Sequence, residues 1–288
     1  MNNVKIRVLL VLAALLLAAA GCRTVPISGR KQFIVLTAGY ENNLGASSYE
    51  EYKSKYKPTS NERQQAVLRR VGEALAQASG QTDFKWEFNV LDAAIENAFC
   101  LPGGKVAVYD GLMKRFANEA ELACVVAHEV GHALARHGGE RMSWGYLQKI
   151  GSLGLSKAGT TAQTVYGIGT EYGVMLPYSR SHETEADLIG LQLMAKAGYD
   201  PKAAIDFWQK FGSDGSQDFL ASITSTHPCG ADRIAALEEH LDEARTIYEQ
   251  SAEKRGMGVH FAMGVPQDGD EESNSSSEQS ESWSGIAI

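Results

Sequence analysis

Trp86, Phe88 and Val90 alternate with Glu87 and Asn89, the two-residue period of a half-buried strand. Two further short apolar runs, Phe99–Leu101 and Val106–Tyr109, flank Pro102-Gly103-Gly104 and predict strands joined by a hairpin-like connection. Elsewhere the spacing is helical. Leu44–Lys57 reads as a polar helix stopped by Pro58, and Thr59 with Glu62 has the spacing of a capping box that opens a helix running to Gly80. Asn118 and Glu121 repeat that spacing and predict a helix from Glu119 to His137, closed by Gly138-Gly139. Another helix is expected from about Ser181 to Ala197, with Gly198 just past its end. Asp200-Pro201 starts the next, and a last one spans Ala231–Gln250. Residues 143–178 hold seven glycines among small and aromatic residues, which predicts a mobile, partly helical insert. The class is α+β, mainly helical.

Composition adds bounds. The 288 residues are 44% hydrophobic and 22% charged, which excludes a wholly disordered or fibrous chain. A formal net charge of -8 leaves no basic footprint, so nucleic acid is not an expected partner. Lys5 and Arg7 precede Val8–Ala20, an unbroken Val/Leu/Ala run. That run is about 20 Å long as a helix, short of the roughly 20 residues that cross a bilayer. A basic start, a short apolar core and small residues at its end describe an export signal. The run ends in Ala19-Ala20-Gly21-Cys22, which resembles a bacterial lipobox; an ordinary secretory cleavage site is the alternative. Cys22 is then the lipidation site, and acyl chains would hold the protein on a membrane without spanning it. Arg23 after the cysteine favours the outer membrane, by resemblance to enteric lipoproteins. The expected organisation is a signal peptide over 1–21, a tether over 22–43, a catalytic domain over 44–250 and an acidic Ser/Glu-rich disordered tail over 251–288. Of the cysteines left after acylation, Cys100 and Cys229 are the candidate disulfide pair, since both flank candidate site segments.

The chemistry sits inside the Glu119–His137 helix, at His128-Glu129-Val130-Gly131-His132. Residues four apart share a helix face, so both imidazoles can reach one metal ion while Glu129 stands beside them as a base. Catalytic zinc takes three protein ligands and leaves a position for water. His137 lacks the spacing of the metzincin third ligand and reads as a helix-end residue favoured by the dipole. The better third ligand is Glu183, with Asp187 four residues on to accept a hydrogen bond from a ligating imidazole. His182 is the competing ligand, and Glu185 points off that face, toward solvent.

His128–His132, the Glu183/Asp187 motif, the run Asn97-Ala98-Phe99-Cys100-Leu101-Pro102-Gly103-Gly104 and Thr226-His227-Pro228 together resemble the HtpX and CAAX-prenyl-endopeptidase family of gluzincins. The start Thr24-Val25-Pro26-Ile27-Ser28-Gly29-Arg30 is similar to that family's bacterial periplasmic lipoprotein branch, the BepA and LoiP type. The resemblance implies a zincin-like domain with a small antiparallel sheet whose edge strand lines the cleft, one zinc ion per chain, His128, His132 and Glu183 as ligands, and Glu129 as the catalytic base. It also places His227 near the metal, either stabilising the oxyanion or filling the open coordination position. Asn97, Ala98 and Phe99 would bind substrate backbone, and Arg180 and Tyr178 would contact the tetrahedral intermediate; a salt bridge and a buried ring are the alternatives for these two. The implied function is a periplasm-facing, lipid-anchored zinc endopeptidase that clears unfolded or misassembled envelope proteins. The alternative is a chaperone or assembly factor for outer-membrane proteins, partnered with the assembly machinery, with its peptidase site plugged. The glycine-rich insert is the expected lid over the cleft.

Overall fold

The computed structural model describes residues 21–25, 28–152, 179–213, 227 and 231–256. The export signal, Tyr178, Cys229, most of the glycine-rich insert and the tail beyond residue 256 lie outside the described residues.

The chain opens with a small antiparallel hairpin, β1 (Cys22–Thr24) and β2 (Lys31–Phe33). Within residues 22–43, read from sequence as a tether, Val25 and Ile34 are buried, and α1 (Ala38–Lys55) begins at residue 38. Helix α2 (Glu62–Ser79) is capped by Asn61, not Thr59; the Asn61 side chain accepts from Gln64 N at 3.2 Å, while Thr59 supports Asn61 N. Gly80 ends it at φ 64°, as the sequence requires.

β3 (Glu87–Leu91), β4 (Ala98–Leu101) and β5 (Lys105–Tyr109) form one sheet in the order β3-β5-β4. The tight turn with Gly103 and Gly104 at φ near +80° makes β4 and β5 antiparallel, as expected. The other pairing is parallel, because β5 inserts between two strands that already run in opposite directions. Alternate residues serve two cores. Val90, Ala98, Cys100, Val106 and Val108 join the main core, whereas Leu91, Phe99, Leu101, Ala107 and Tyr109 pack with Tyr49 on the α1 side. β4 is left as an edge strand.

After the short α3 (Asp110–Met113) come α4 (Glu119–Leu134), α5 (His137–Ser152), α6 (Arg180–Lys196), α7 (Lys202–Ser213), α8 (Ala231–Glu239) and α9 (Leu241–Gln250). The single helix expected to His137 is two: α4 stops at Leu134, and Arg136 takes φ 57°. His137-Gly138-Gly139 therefore begins α5 instead of closing α4. The Arg136 guanidinium holds that corner, donating to Glu41 at 2.7 and 3.1 Å and to Leu36 O at 2.9 Å. Likewise the expected terminal helix breaks at His240. Within the main core α4 packs between the sheet and α6, almost wholly buried.

Candidate metal centre

Two caps and two glycines place the site. Asn118 accepts from Glu121 N at 2.9 Å and Glu121 accepts from Ala117 N at 2.7 Å, so the start of α4 is tied in both directions. Ser179 caps α6 by accepting from His182 N. Where the helices cross, Gly131 faces the Ala186 backbone and Gly190 faces the backbone of Ala127 and His128. A Cβ at 131 would stand 2.7 Å from Ala186 O. The Gly within the HExxH motif thus lets α6 come close enough to present Glu183 to the two imidazoles.

The result is a cluster of four buried donors: His128, His132, Glu183 and His227. His128 Nε2 lies 3.1 Å from His132 Nε2 and 3.2 Å from His227 Nδ1. Glu183 Oε2 is 3.4 Å from His128 Nε2 and 3.1 Å from His227 Nδ1, and Glu183 Oε1 is 3.4 Å from His132 Nε2. These separations approach the roughly 3.3 Å edge of a tetrahedron of N and O donors about 2.0–2.1 Å from zinc.

The tautomers test the fit of a cation. His128 Nδ1–H donates to Asp187 Oδ1 at 2.8 Å, which turns the lone pair of Nε2 inward. Glu183 Oε1 is buried and accepts no hydrogen bond from the described residues. Lone pairs and a carboxylate brought this close repel one another unless a positive charge stands among them. Electrostatics agrees. Burial opposes protonation of His128, yet Asp187 and Glu183 push its imidazole up to about 10. Burial also opposes ionisation of Glu183, but the imidazoles around it outweigh burial and hold it far below the usual carboxylate range. Burial lowers His132 well below an ordinary histidine, as suits a neutral ligand. The donor set and spacing fit a divalent metal.

Glu129 sits at the rim, its Oε1 3.4 Å from His227 Nε2. Burial raises its pKa, with His227 and His128 opposing, so it stands closer to neutrality than an exposed glutamate. Asp187 also meets Arg233, which donates from Nε at 2.6 Å and from Nη2 at 2.7 Å; Nη1 reaches Glu183 at 3.3 Å. Burial opposes ionisation of Asp187, but Arg233 outweighs it and keeps the carboxyl below its ordinary value. Trp208 lies under that guanidinium at 4.4 Å.

The other sequence expectations divide. Asn97 immediately precedes the edge strand and Ala98 and Phe99 lie on it, all three buried, with Asn97 Oδ1 accepting from Ala98 N at 2.8 Å. Arg180 is exposed at the start of α6 and is not one of the four clustered groups. His182 is not a ligand in this arrangement; its Nε2 meets Glu140 Oε2 at 3.0 Å. Glu185 is buried, not solvated, because His137, Arg30 and Ser28 surround it. His137 is buried too and meets His132, so it is more than a helix-end residue. Cys100 and Cys124 are buried free thiols. Arg233 was missed: it lies six positions after His227 with no motif to mark it.

An HExxH helix crossed by a second helix that supplies a carboxylate is the construction of a metallopeptidase. The sequence profile of Peptidase family M48 matches residues 62–241, and the chain belongs to that family; it is a metalloendopeptidase. It is 34% identical over 240 residues to the mitochondrial metalloendopeptidase OMA1 of Schizosaccharomyces pombe, covering 79% of this chain and 68% of that one. The Arabidopsis thaliana protein of the same name is 39% identical over 188 residues, 65% of this chain and 38% of its own length. The beta-barrel assembly-enhancing protease of Escherichia coli K12 is 26% identical over 244 residues, 80% of this chain and 50% of that protein. The chain thus spans half or less of the latter two relatives.

Proposed function

We propose that this chain is a zinc endopeptidase of the bacterial periplasmic lipoprotein branch, held by acyl chains on Cys22 at the periplasmic side of the outer membrane. Its substrates are unfolded or misassembled envelope proteins. The observation that carries the hydrolytic part is the convergence of His128, His132 and Glu183 on one point with Glu129 beside them. The lipobox at Cys22 and the name of the Escherichia coli relative support the envelope setting. No helix among the described residues is long and apolar enough to cross a membrane.

Zinc bound by these residues would supply Lewis acidity toward a carbonyl and toward water. The chain supplies the rest. Glu129 takes a proton from the attacking water and returns it to the leaving amine. The β4 edge takes the substrate backbone as an added strand. Tyr109 N donates to Asn97 O at 3.0 Å, so by alternation Ala98 and Cys100 turn their backbone groups outward. Arg180, at the exposed start of α6, is a further substrate contact.

A second reading, an assembly factor with a latent site, is favoured by His227, whose Nδ1 stands where a fourth ligand would. Glu129→Gln is expected to keep zinc, measured by elemental analysis, and to lose casein cleavage; full activity would overturn the assignment of the base. Glu183→Ala is expected to lose zinc. Complementation of an envelope defect by the Glu129→Gln variant would instead support the assembly role.

A further inference from the structure

The two imidazoles of the HExxH motif are held differently. His128 leans on a carboxylate directly, through Asp187. His132 Nδ1 meets another imidazole, His137 Nδ1, at 2.9 Å, and His137 Nε2 meets Glu185 Oε2 at 2.8 Å. Glu185 is held in turn by Arg30 Nε at 3.0 Å and by the Ser28 hydroxyl. The Arg30 guanidinium continues to Glu140 with two bonds of 3.0 and 2.7 Å. Glu140 accepts from His182, whose ring stacks on His137 at 4.2 Å and so closes the circuit. Apart from Ser28 and Arg30 the members are buried. These two come from the segment between β1 and β2, far from the motif in sequence.

We propose that Ser28 and Arg30 are positioning residues of the metal centre, acting through Glu185 and His137 to fix the nitrogen that His132 presents. The order of donors follows from the carboxylate. An ionised Glu185 can only accept, so His137 donates its Nε2–H and keeps Nδ1 as an acceptor. His132 then donates Nδ1–H to it, which leaves the Nε2 lone pair pointing into the cluster. The network fixes a tautomer and a ring orientation, as a carboxylate behind a metal-bound histidine does, with one imidazole interposed. Linkage makes the effect reciprocal: a filled metal site tightens the Ser28–Arg30 segment. The inference rests on the metal-site reading proposed above.

The test uses the full chain, zinc-loaded or chelator-stripped, with two readouts besides activity. Competition with a chromogenic chelator gives zinc affinity, and mass spectrometry follows tryptic cleavage after Arg30. Zinc is expected to slow that cut in the wild type. His137→Leu is expected to bind zinc about 10–100-fold more weakly and to lose the zinc-dependent protection at Arg30. His137→Gln, which can still accept and donate, should recover part of the affinity. Ser143→Ala removes the acceptor of Val35 N in the same neighbourhood without touching the network, and should leave affinity unchanged. If His137→Leu does not fold, Arg30→Met carries the test and must also weaken zinc. Wild-type affinity in a folded His137→Leu or in Arg30→Met overturns the proposal. A wild-type chain that binds no zinc, or a Glu183→Ala chain that binds it normally, overturns the metal-site reading instead.

Discussion

Gly131→Ala adds one methyl at the closest approach of α4 and α6. It would stand 2.7 Å from Ala186 O and 3.2 Å from Ala186 Cα, where ordinary contact begins near 3.4 Å. The helices must therefore separate by about 0.7 Å, against main chain that cannot swing aside as a side chain would. Overpacking of this kind costs about 1–3 kcal/mol, and replacing a helical Gly by Ala returns about 1 kcal/mol. The net loss is at most about 2 kcal/mol, a fall in Tm of no more than about 8 °C for a domain of this size. The protein should still fold. The metal centre tolerates much less, because ligand distances must hold within about 0.2 Å, and Glu183 rides on the helix that moves. Zinc affinity by chelator competition and kcat/KM on a fluorogenic peptide should both fall, the latter by about 100-fold. Gly190→Ala, whose methyl would meet His128 N at 3.0 Å, should show the same loss in milder form. A folded Gly131→Ala protein within about twofold of wild type in both measurements would refute the argument that this glycine sets the ligand geometry.

Arg233→Met leaves Asp187 and Glu183 buried without their guanidinium, so the metal-free protein should lose about 3–5 kcal/mol in urea denaturation; an unchanged midpoint would show that Arg233 is dispensable. The Glu140 carboxyl gives a pH signature. Burial opposes its ionisation, but hydrogen bonds from His182 and Arg30 bring it down to about 2 from 4.5. A carboxyl depressed on folding stabilises above its unfolded pKa, and that contribution fades as pH falls from about 4.5 toward 2. The Tm difference between wild type and Glu140→Gln should therefore be present at pH 6 and shrink through that window. A difference constant with pH would contradict the assignment.

Local signals carried the central elements. The strand alternation, the Asn118 cap and Gly80 and Gly198 at helix ends were legible because each rests on the preference of one or two residues for a particular backbone conformation. The HExxH face and the Glu183/Asp187 pair were legible because four-residue spacing on a helix is a statement about direction. What escaped depends on tertiary contact. No periodicity reveals that Arg136 leaves the helical region, since the bond partners that hold it, Glu41 and Leu36, are about a hundred residues away. Arg30, Glu185 and Arg233 are charged residues that would ordinarily be solvated, and only the fold shows them paired around the site. The parallel half of the sheet was hidden for the same reason: strand order is set by where β5 is inserted, not by any strand's own pattern.

The bend at Arg136 has a geometric consequence. On an unbroken helix, residues five apart project about 140° from one another, so residue 137 would face away from residue 132. The positive-φ corner folds that angle back and lets the rings of His132 and His137 come within 5.0 Å, centroid to centroid. The partnership of these two rings is thus a property of a hinge one residue wide. Adding or removing a residue there, harmless in most interhelical loops, would rotate everything downstream out of phase with the ring it must meet.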